Sequence, residues 1–380
     1  MKKLLGILLL LFVVFHVAGG WYFSEELKND ALVADYEPDT PDVLITSVSG
    51  GEVTLQAVEG TEPELETPGV VGLDWTTGYG QLQPQFTVAA DGSVVRQLQR
   101  LAGEPPTPGM VATIEGYAFP TDPSVAFGID FTEVEYQSAL GPIRAWKILA
   151  SGDTWILHVH GLGADRAESL RLLRPLAEEG YPQLVIDYRN DEGAPADPSG
   201  YYRFGETEWE DVAAAVDSLV AEGAEKVVLM GYSTGAAHIF SYLYREPDEV
   251  VIAAVVDSPN IDFEQTVDLG ASQRTLPFIG LPIPGTLVWT AKQIASIRFG
   301  VDWEETDYLP EANLLEVPVL VLHGSEDETV PVQSSQDLAD ARPDLVRISI
   351  VPGAGHVRSW NVSGATYEQE VIDFLAEVTQ

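Results

Sequence analysis

The chain has 380 residues, 45% of them hydrophobic, which suits one large domain with a smaller accessory region and excludes a disordered protein. Its 59 acidic and 20 basic residues give a net charge of −39, so nucleic acid is not expected as a partner. The absence of cysteine excludes disulfides, thiolate metal sites and a cysteine nucleophile. No EF-hand loop or His-rich segment occurs, so we expect no metal and no cofactor.

The N-terminus has the features of an export signal. Lys2 and Lys3 precede an apolar run, 4–23, that ends in three aromatic residues. Left uncleaved, this run is long enough to span a bilayer as a helix, whereas cleavage after Gly20 would release the chain. We therefore expect an exported protein in which segment 1–23 is either a membrane anchor or a removed signal peptide, with membrane attachment possible through residues 4–23.

The next part of the chain changes from polar to β-rich. Segment 24–42 is predicted to be a stalk and linker, with the linker at 38–41. Segment 43–125 is predicted to be a small β-rich accessory region, because short apolar runs alternate with turns. Its predicted strands are 43–48, 52–58 and 94–98. It contains no recognisable chemical motif, so its role stays open.

Segment 126–380 has the pattern of a mostly parallel sheet covered by helices on both faces. After an antiparallel pair, 131–137 and 143–149, strand-like and helical runs alternate. The predicted strands are 155–160, 183–187, 226–230, 250–256, 317–323 and 346–351. The predicted helices are 170–179, 209–221, 236–244, 332–341 and 365–378. An insertion, 260–315, with a helix predicted at 287–299, is expected to form a lid or pocket wall.

A Gly-Tyr-Ser-Thr-Gly sequence, Gly231 to Gly235, joins a predicted strand to a predicted helix. In this context G-x-S-x-G predicts a sharp turn that raises a nucleophilic serine above the sheet, with glycines where side chains would clash. We therefore predict Ser233 as the nucleophile. The backbone N–H of Thr234 is expected to lie beneath the developing oxyanion. The alternative is an ordinary strand-to-helix turn with a capping serine.

Two later strand ends supply the partners that such a serine needs. Asp327 follows the strand 317–323 and is predicted to orient the catalytic histidine, with Glu326 and Asp257 as rival acids. His356 follows the strand 346–351 on a loop of small residues and is predicted to be the general base. The order Ser, Asp, His, each after a strand, supports this assignment.

The first strand of the alternating part ends in His160-Gly161-Leu162-Gly163. A backbone N–H here, that of Leu162, is predicted to join Thr234 in the oxyanion hole, with His160 and Gly161 supporting the turn. A structural glycine-rich turn is the alternative.

Together these stretches resemble the α/β-hydrolase superfamily from about residue 131 to the C-terminus. The segments 187–191, 204–205 and 208–209 are similar to exported or membrane-anchored bacterial members of the serine-aminopeptidase-like and esterase-like kind. The turn after His160 is Gly-Leu-Gly rather than the run of glycines in the lipase pattern, which does not favour a bulky-ester lipase. The resemblance implies an α/β-hydrolase fold, with the catalytic domain at 126–380.

The expected chemistry is hydrolysis of a small ester, or of an amide or short peptide, through an acyl-enzyme intermediate. Acyl transfer to an alcohol, peptidase activity and a non-catalytic binding protein of the same fold remain as alternatives. The substrate and the oligomeric state are not readable from the sequence.

Overall fold

The computed structural model describes residues 2–36, 40–245 and 247–379, so the linker predicted at 38–41 lies partly outside the described residues. The first helix, α1 (Lys2–Leu27), passes directly into a π-helical turn, Lys28–Leu32. Its residues 2–15 are exposed throughout. Among the described residues, this is the one helix long and apolar enough to cross a membrane.

The β-rich region forms a closed antiparallel barrel of six strands in the order β1-β2-β5-β4-β3-β6. The strands are β1 (Val43–Ser49), β2 (Glu52–Ala57), β3 (Val71–Trp75), β4 (Gly78–Val88), β5 (Val94–Gly103) and β6 (Val111–Glu115). Alternate residues such as Val43, Ile45, Val53 and Leu55 fill its interior. The predicted accessory region is thus confirmed as β-rich, and β3, β4 and β6 were not predicted.

Glycines within the strands explain why some strands of the barrel were not predicted from the alternation of apolar and polar residues. A side chain on Gly72 would meet the Tyr79 hydroxyl at 2.0 Å, so the strand needs glycine there to let the tyrosine cross it. Such glycines interrupt the alternation of apolar and polar residues by which strands are predicted.

The rest of the chain forms an eight-stranded sheet in the order β14-β13-β12-β11-β9-β10-β8-β7. The strands are β7 (Thr132–Ser138), β8 (Gly141–Ile148), β9 (Thr154–Val159), β10 (Gln183–Ile186), β11 (Lys226–Tyr232), β12 (Val251–Asp257), β13 (Val319–Gly324) and β14 (Val346–Val351). The strand β8 is antiparallel to both of its neighbours, β7 and β10. The other six strands, β9 to β14, run parallel to one another. The predicted mostly parallel sheet is therefore confirmed.

Helices cover both faces of this sheet. They are α2 (Pro123–Phe127), α3 (Leu170–Glu178), α4 (Trp209–Ala221), α5 (Thr234–Arg245), α6 (Phe263–Ser272), α7 (Gly285–Phe299), α8 (Val332–Ala341) and α9 (Ser359–Val378). Apolar residues of α4, α5 and α8 pack with one set of strand residues, and those of α3 and α9 with the alternate set. Within the predicted insertion 260–315, α7 begins two residues before the predicted helix, and α6 was not predicted.

Candidate active site

The turn between β11 and α5 places Ser233 in a strained conformation. Its φ is +49°, a left-handed value that L-residues rarely adopt. A side chain at Gly235 would lie 2.3 Å from the carbonyl oxygen of Val159, and one at Gly231 would lie 2.7 Å from Ile239. Both glycines are therefore required for the turn to pack against β9 and α5, as the motif predicted.

Ser233, His356 and Asp327 form a continuous chain of hydrogen-bonding groups. Nε2 of His356 lies 2.8 Å from Oγ of Ser233. Nδ1 of the same ring lies 2.7 Å from Oδ2 of Asp327. Three residues predicted from three separate strand ends thus meet at one point, at the carboxyl edge of the sheet, where doubly wound sheets bind their ligands.

The loop that carries Asp327 and the loop that carries His356 are hydrogen-bonded to each other. The backbone N–H of Glu326 donates to the carbonyl oxygen of Ala354 at 2.9 Å. A side chain at Gly324 would lie 2.2 Å from that same oxygen, so the close approach requires glycine. On the other side, the N–H of Val357 donates to Ser258 at 3.0 Å. The position of His356 is therefore fixed by contacts on both flanks.

Asp327 is held in its ionised form. Burial by itself would raise the pKa of this carboxyl group, but hydrogen bonds with His323 and His356 outweigh burial and hold the pKa well below its usual range. The backbone N–H groups of Thr329 and Val330 also donate to Oδ1, at 2.9 and 2.8 Å. The arrangement suits a carboxylate that orients an imidazole and stabilises its protonated form.

The two rival acids lie elsewhere. The side chain of Glu326 is exposed. Asp257 is buried, and its Oδ1 accepts hydrogen bonds from Ser258 and Ser359 at 3.2 Å each. His356 therefore contacts Asp327 rather than either rival.

The two predicted oxyanion donors lie next to the serine, Leu162 on the loop after β9 and Thr234 as the first residue of α5. A side chain on Gly161 would be 3.1 Å from Cβ of Ser233, which puts this turn against that serine. The N–H of Gly161 donates to the Glu168 carboxylate at 2.8 Å and is not free for a ligand. Over the described part of the chain, no hydrogen bond within the protein uses the N–H of Leu162 or of Thr234.

His160 takes part in a buried ion pair. Its Nε2 lies 2.9 Å from Oδ2 of Asp191, and its ring stacks on Tyr188. Burial alone would lower the pKa of His160, but the Asp191 carboxylate outweighs burial and raises it to about 9. These contacts fix the ring of His160 at the start of the turn, and its role in supporting the turn stays a prediction.

A group of potential metal ligands surrounds the same histidine. Ligand atoms of His160, Asp187 and Asp191 lie within 4.8 Å of one another. Asp187 is already paired, however, because its Oδ1 lies 2.9 Å from Nε of Arg166. The cluster therefore contains two ion pairs, His160 with Asp191 and Arg166 with Asp187.

Several residues beside Ser233 were not found by sequence reasoning. A cavity of about 200 Å³ is lined by Ser233 and His356 together with Gly116, Arg171 and Arg358. Gly116 follows the last strand of the barrel, so the accessory region supplies part of the wall. Arg358 comes two positions after His356, a proximity that could have drawn attention to it, whereas nothing in the sequence linked Gly116 to the serine.

Arg358 packs directly on the barrel. A side chain on Gly116 would collide with its guanidinium group, whose Nη1 is buried without a hydrogen-bond partner among the described residues. Burial lowers the pKa of Arg358. A second, larger cleft that reaches His356 is lined by Glu64 and Glu66 of the barrel and again by Arg358. The barrel and the catalytic domain therefore share the rim of the site.

Comparison with known proteins identifies the family to which the catalytic domain belongs. The sequence model of the alpha/beta hydrolase family matches residues 156–371. An uncharacterized Escherichia coli protein, YfhR, is 23% identical over 221 residues, which are 58% of this chain and 69% of the relative. The bifunctional esterase/perhydrolase DCH of Acinetobacter calcoaceticus is 28% identical over 162 residues, 33% of this chain and 58% of the relative.

Among solved structures, an esterase of Pyrococcus furiosus superposes with a TM-score of 0.54 at 21% identity. The superposition covers 69% of this chain and 98% of that one. This likeness establishes the shared fold. The barrel strands all precede residue 156, where the family match begins.

Proposed function

Because the chain belongs to the α/β-hydrolase family and is a hydrolase enzyme, we propose that it cleaves carboxylic esters through an acyl-enzyme intermediate on Ser233. The observation that carries this proposal is the hydrogen-bonded series Ser233–His356–Asp327, with the serine at a φ of +49° on a tight turn. A histidine within 2.8 Å of a serine hydroxyl, and itself bonded to a carboxylate, is the arrangement that activates a serine.

The proposed reaction proceeds in two balanced halves. Nε2 of His356 takes the proton from Ser233 as Oγ bonds to the carbonyl carbon, and the N–H groups of Leu162 and Thr234 donate to the oxyanion. The carbon–oxygen bond to the alcohol then breaks, and His356 gives its proton to the leaving oxygen. Water, deprotonated by the same ring, attacks the acyl-enzyme, and the carboxylic acid departs as Ser233 regains a proton. Asp327 keeps the ring oriented throughout.

We favour an ester over an amide because the Acinetobacter relative is named an esterase. Acyl transfer to an alcohol would use the same acyl-enzyme, so the fate of the acyl group needs its own measurement. Product analysis with and without an added alcohol, and rates on matched nitrophenyl esters and nitroanilides, separate these reactions.

We also propose that α1 is retained as a membrane anchor rather than removed. Its Gly19 and Gly20 lie against α7, where a side chain on Gly20 would come within 2.9 Å of Thr290. Small residues at a helix contact are typical of helices that pack within membranes. The guanidinium of Arg298 lies 3.7 Å from the centre of the Trp21 ring, which extends the contact to the aromatic end of the apolar run.

The direct test is labelling of the full-length protein, in membranes, with a fluorophosphonate that reacts with activated serines. We expect labelling of the wild type, none in Ser233→Ala and a large decrease in His356→Ala. Ser218→Ala, on the distant helix α4, serves as the matched control and should label fully. A folded wild type that resists labelling, or a Ser233→Ala variant that still labels, would overturn the proposal.

A further inference from the structure

The helix α7 belongs to the insertion 260–315, which we call the cap, and it runs alongside α1 in the same direction. This contact sets the depth of the cap relative to α1. Nε2 of His16 lies 2.9 Å from Oγ1 of Thr286, near the start of α7. Toward the other end, Arg298 donates to Oγ of Ser24 at 2.8 Å. His16 precedes Phe23, the last residue of the apolar run, by seven positions, or roughly 10 Å of helix. If α1 spans a bilayer, the first turns of α7 therefore lie below the membrane surface.

The outer side of the cap carries exposed apolar side chains, as a surface below the membrane boundary would require. Trp289, which lies between the α7 residues that contact Gly19 and Gly20, is 61% exposed. Further large apolar side chains of the cap are also exposed: Phe278, Ile279, Leu281 and Ile297. A group of this kind is unfavourable against water and marks a surface that meets a membrane or another protein. Because this surface lies beside the apolar helix α1, we infer that it meets a membrane rather than another protein.

The charges on and near the cap indicate whether it would bind a neutral or an anionic lipid surface. The basic side chains near the cap are already paired with acidic side chains: Lys28 and Arg298 with Glu25, Arg274 with Asp30, and Lys292 with Glu264 and Asp268. No free basic patch is therefore present in the described part of the cap to attract anionic lipids, and the net charge of −39 opposes them. The expected surface is a neutral bilayer, held by apolar contact.

Behind this surface, a largely apolar cavity of about 300 Å³ lies between α1, α6 and α7. Phe23, Leu27 and Val288 are among the residues that line it, and it reaches Glu328 and Thr329. The same Glu328 and Thr329 also line the cleft that contains His356. The cavity thus begins at the membrane anchor and ends at the loop that carries Asp327.

We propose that the first turns of α7 and the preceding segment 277–283 are embedded in the outer half of a neutral bilayer, and that this cavity receives one hydrocarbon chain of a membrane-resident ester. The substrate class is then a long-chain ester taken directly from the lipid phase, with its carbonyl at Ser233. The location of the cap rests on its contacts with α1 and on the proposed membrane anchor, whereas the chemistry rests on the proposed reaction at Ser233. The Gly-Leu-Gly turn at 161–163 does not favour a bulky ester, but this turn borders only the reacting carbonyl group. In the proposed complex, the hydrocarbon chain of the substrate lies in the cavity between α1, α6 and α7.

The depth of the cap can be measured because the chain contains no cysteine. Single variants Trp289→Cys and Ile297→Cys, on α7, and Val111→Cys, an exposed barrel position, are labelled with an environment-sensitive fluorophore. The full-length protein is reconstituted in phosphatidylcholine vesicles. We expect quenching by nitroxide lipids to be strongest at position 289, weaker at 297 and absent at 111, and iodide in the water to give the reverse order. Position 289 quenched by iodide as strongly as position 111 would overturn the embedding.

The cavity is tested through Gly270, which lines it and where an added Cβ meets no atom within 4 Å. We expect Gly270→Phe to lower the ratio of kcat/KM for a dodecanoyl ester over that for an acetyl ester by about tenfold, because chain contacts are lost. Val220→Phe, on the exposed side of α4, should leave this ratio unchanged. An unchanged ratio in Gly270→Phe would overturn the cavity assignment. If the wild type is not labelled by the fluorophosphonate, the proposed serine chemistry is refuted. The result of the depth measurement is unaffected by that outcome.

Discussion

The side-chain amide of Asn361 in α9 donates a hydrogen bond of 2.8 Å to the backbone carbonyl of Gly116, just beyond the last strand of the barrel. The same amide donates to the carbonyl of Val70 at 2.6 Å, and the N–H of Val70 donates back to the carbonyl of Asn361 at 2.8 Å. One buried residue of the catalytic domain thus joins two barrel segments, and Gly116 lines the cavity next to Ser233.

Removal of this amide should weaken the contact between barrel and catalytic domain. Asn361→Ala leaves two half-buried carbonyl groups without their donor, and the cost should be at most the ~1–3 kcal/mol of a fully buried unsatisfied group. We expect a lower urea midpoint and a lower kcat/KM, because the wall formed by Gly116 is released. Gln369→Ala, an exposed change on the same helix, should alter neither quantity. Equal stability of the two variants would contradict the assigned contact.

The proposed role of Asp327 as the orienting acid predicts a large difference in activity between substitutions at two adjacent positions. Asp327→Asn removes the carboxylate beside His356 and should lower kcat by a factor of about 10³–10⁴, since the imidazole loses its required tautomer. Glu326→Gln, at the exposed neighbouring position, should retain nearly full activity. Steady-state kinetics on a nitrophenyl ester decide this, and comparable losses in both variants would argue against Asp327.

Two glycine substitutions should change stability in opposite directions. Gly235→Ala places a methyl group 2.3 Å from the carbonyl of Val159, a backbone clash that cannot relax locally, so the protein should be destabilised by several kcal/mol. Gly270→Ala lies in helix α6 in open space and should stabilise the protein by up to ~1 kcal/mol through helix propensity. Urea unfolding of the two variants checks both signs. Stabilisation by Gly235→Ala would contradict the close packing of the turn on β9.

The His160–Asp191 pair predicts how stability depends on pH. The pKa of His160 is raised from 6.5 to about 9 in the folded state, so the folded protein binds this proton more tightly than the unfolded chain does. The contribution is fully present below pH 6.5 and is lost as the pH rises through about 9. We expect the free energy of unfolding to fall across this window. In Asp191→Asn the fall should be smaller, and an identical slope in both proteins would contradict the pairing.

The sequence determined those features whose physical cause is local. The strained turn at Ser233 needs glycine on both sides, and this requirement is visible as a motif between a strand and a helix. Asp327 and His356 could be placed because each follows a strand, and parallel strands end at one edge of the sheet. The alternation of apolar runs likewise predicted the covered sheet, whose fold is confirmed.

Tertiary structure alone decided which distant segments meet. That Gly116 of the barrel forms a wall beside Ser233, and that α7 packs along α1, depends on contacts between segments far apart in the chain. The pairing of His160 with Asp191 likewise depends on which loops converge and on the direction of each side chain. Local periodicity encodes neither, because it reports which face of an element is buried and not what covers that face.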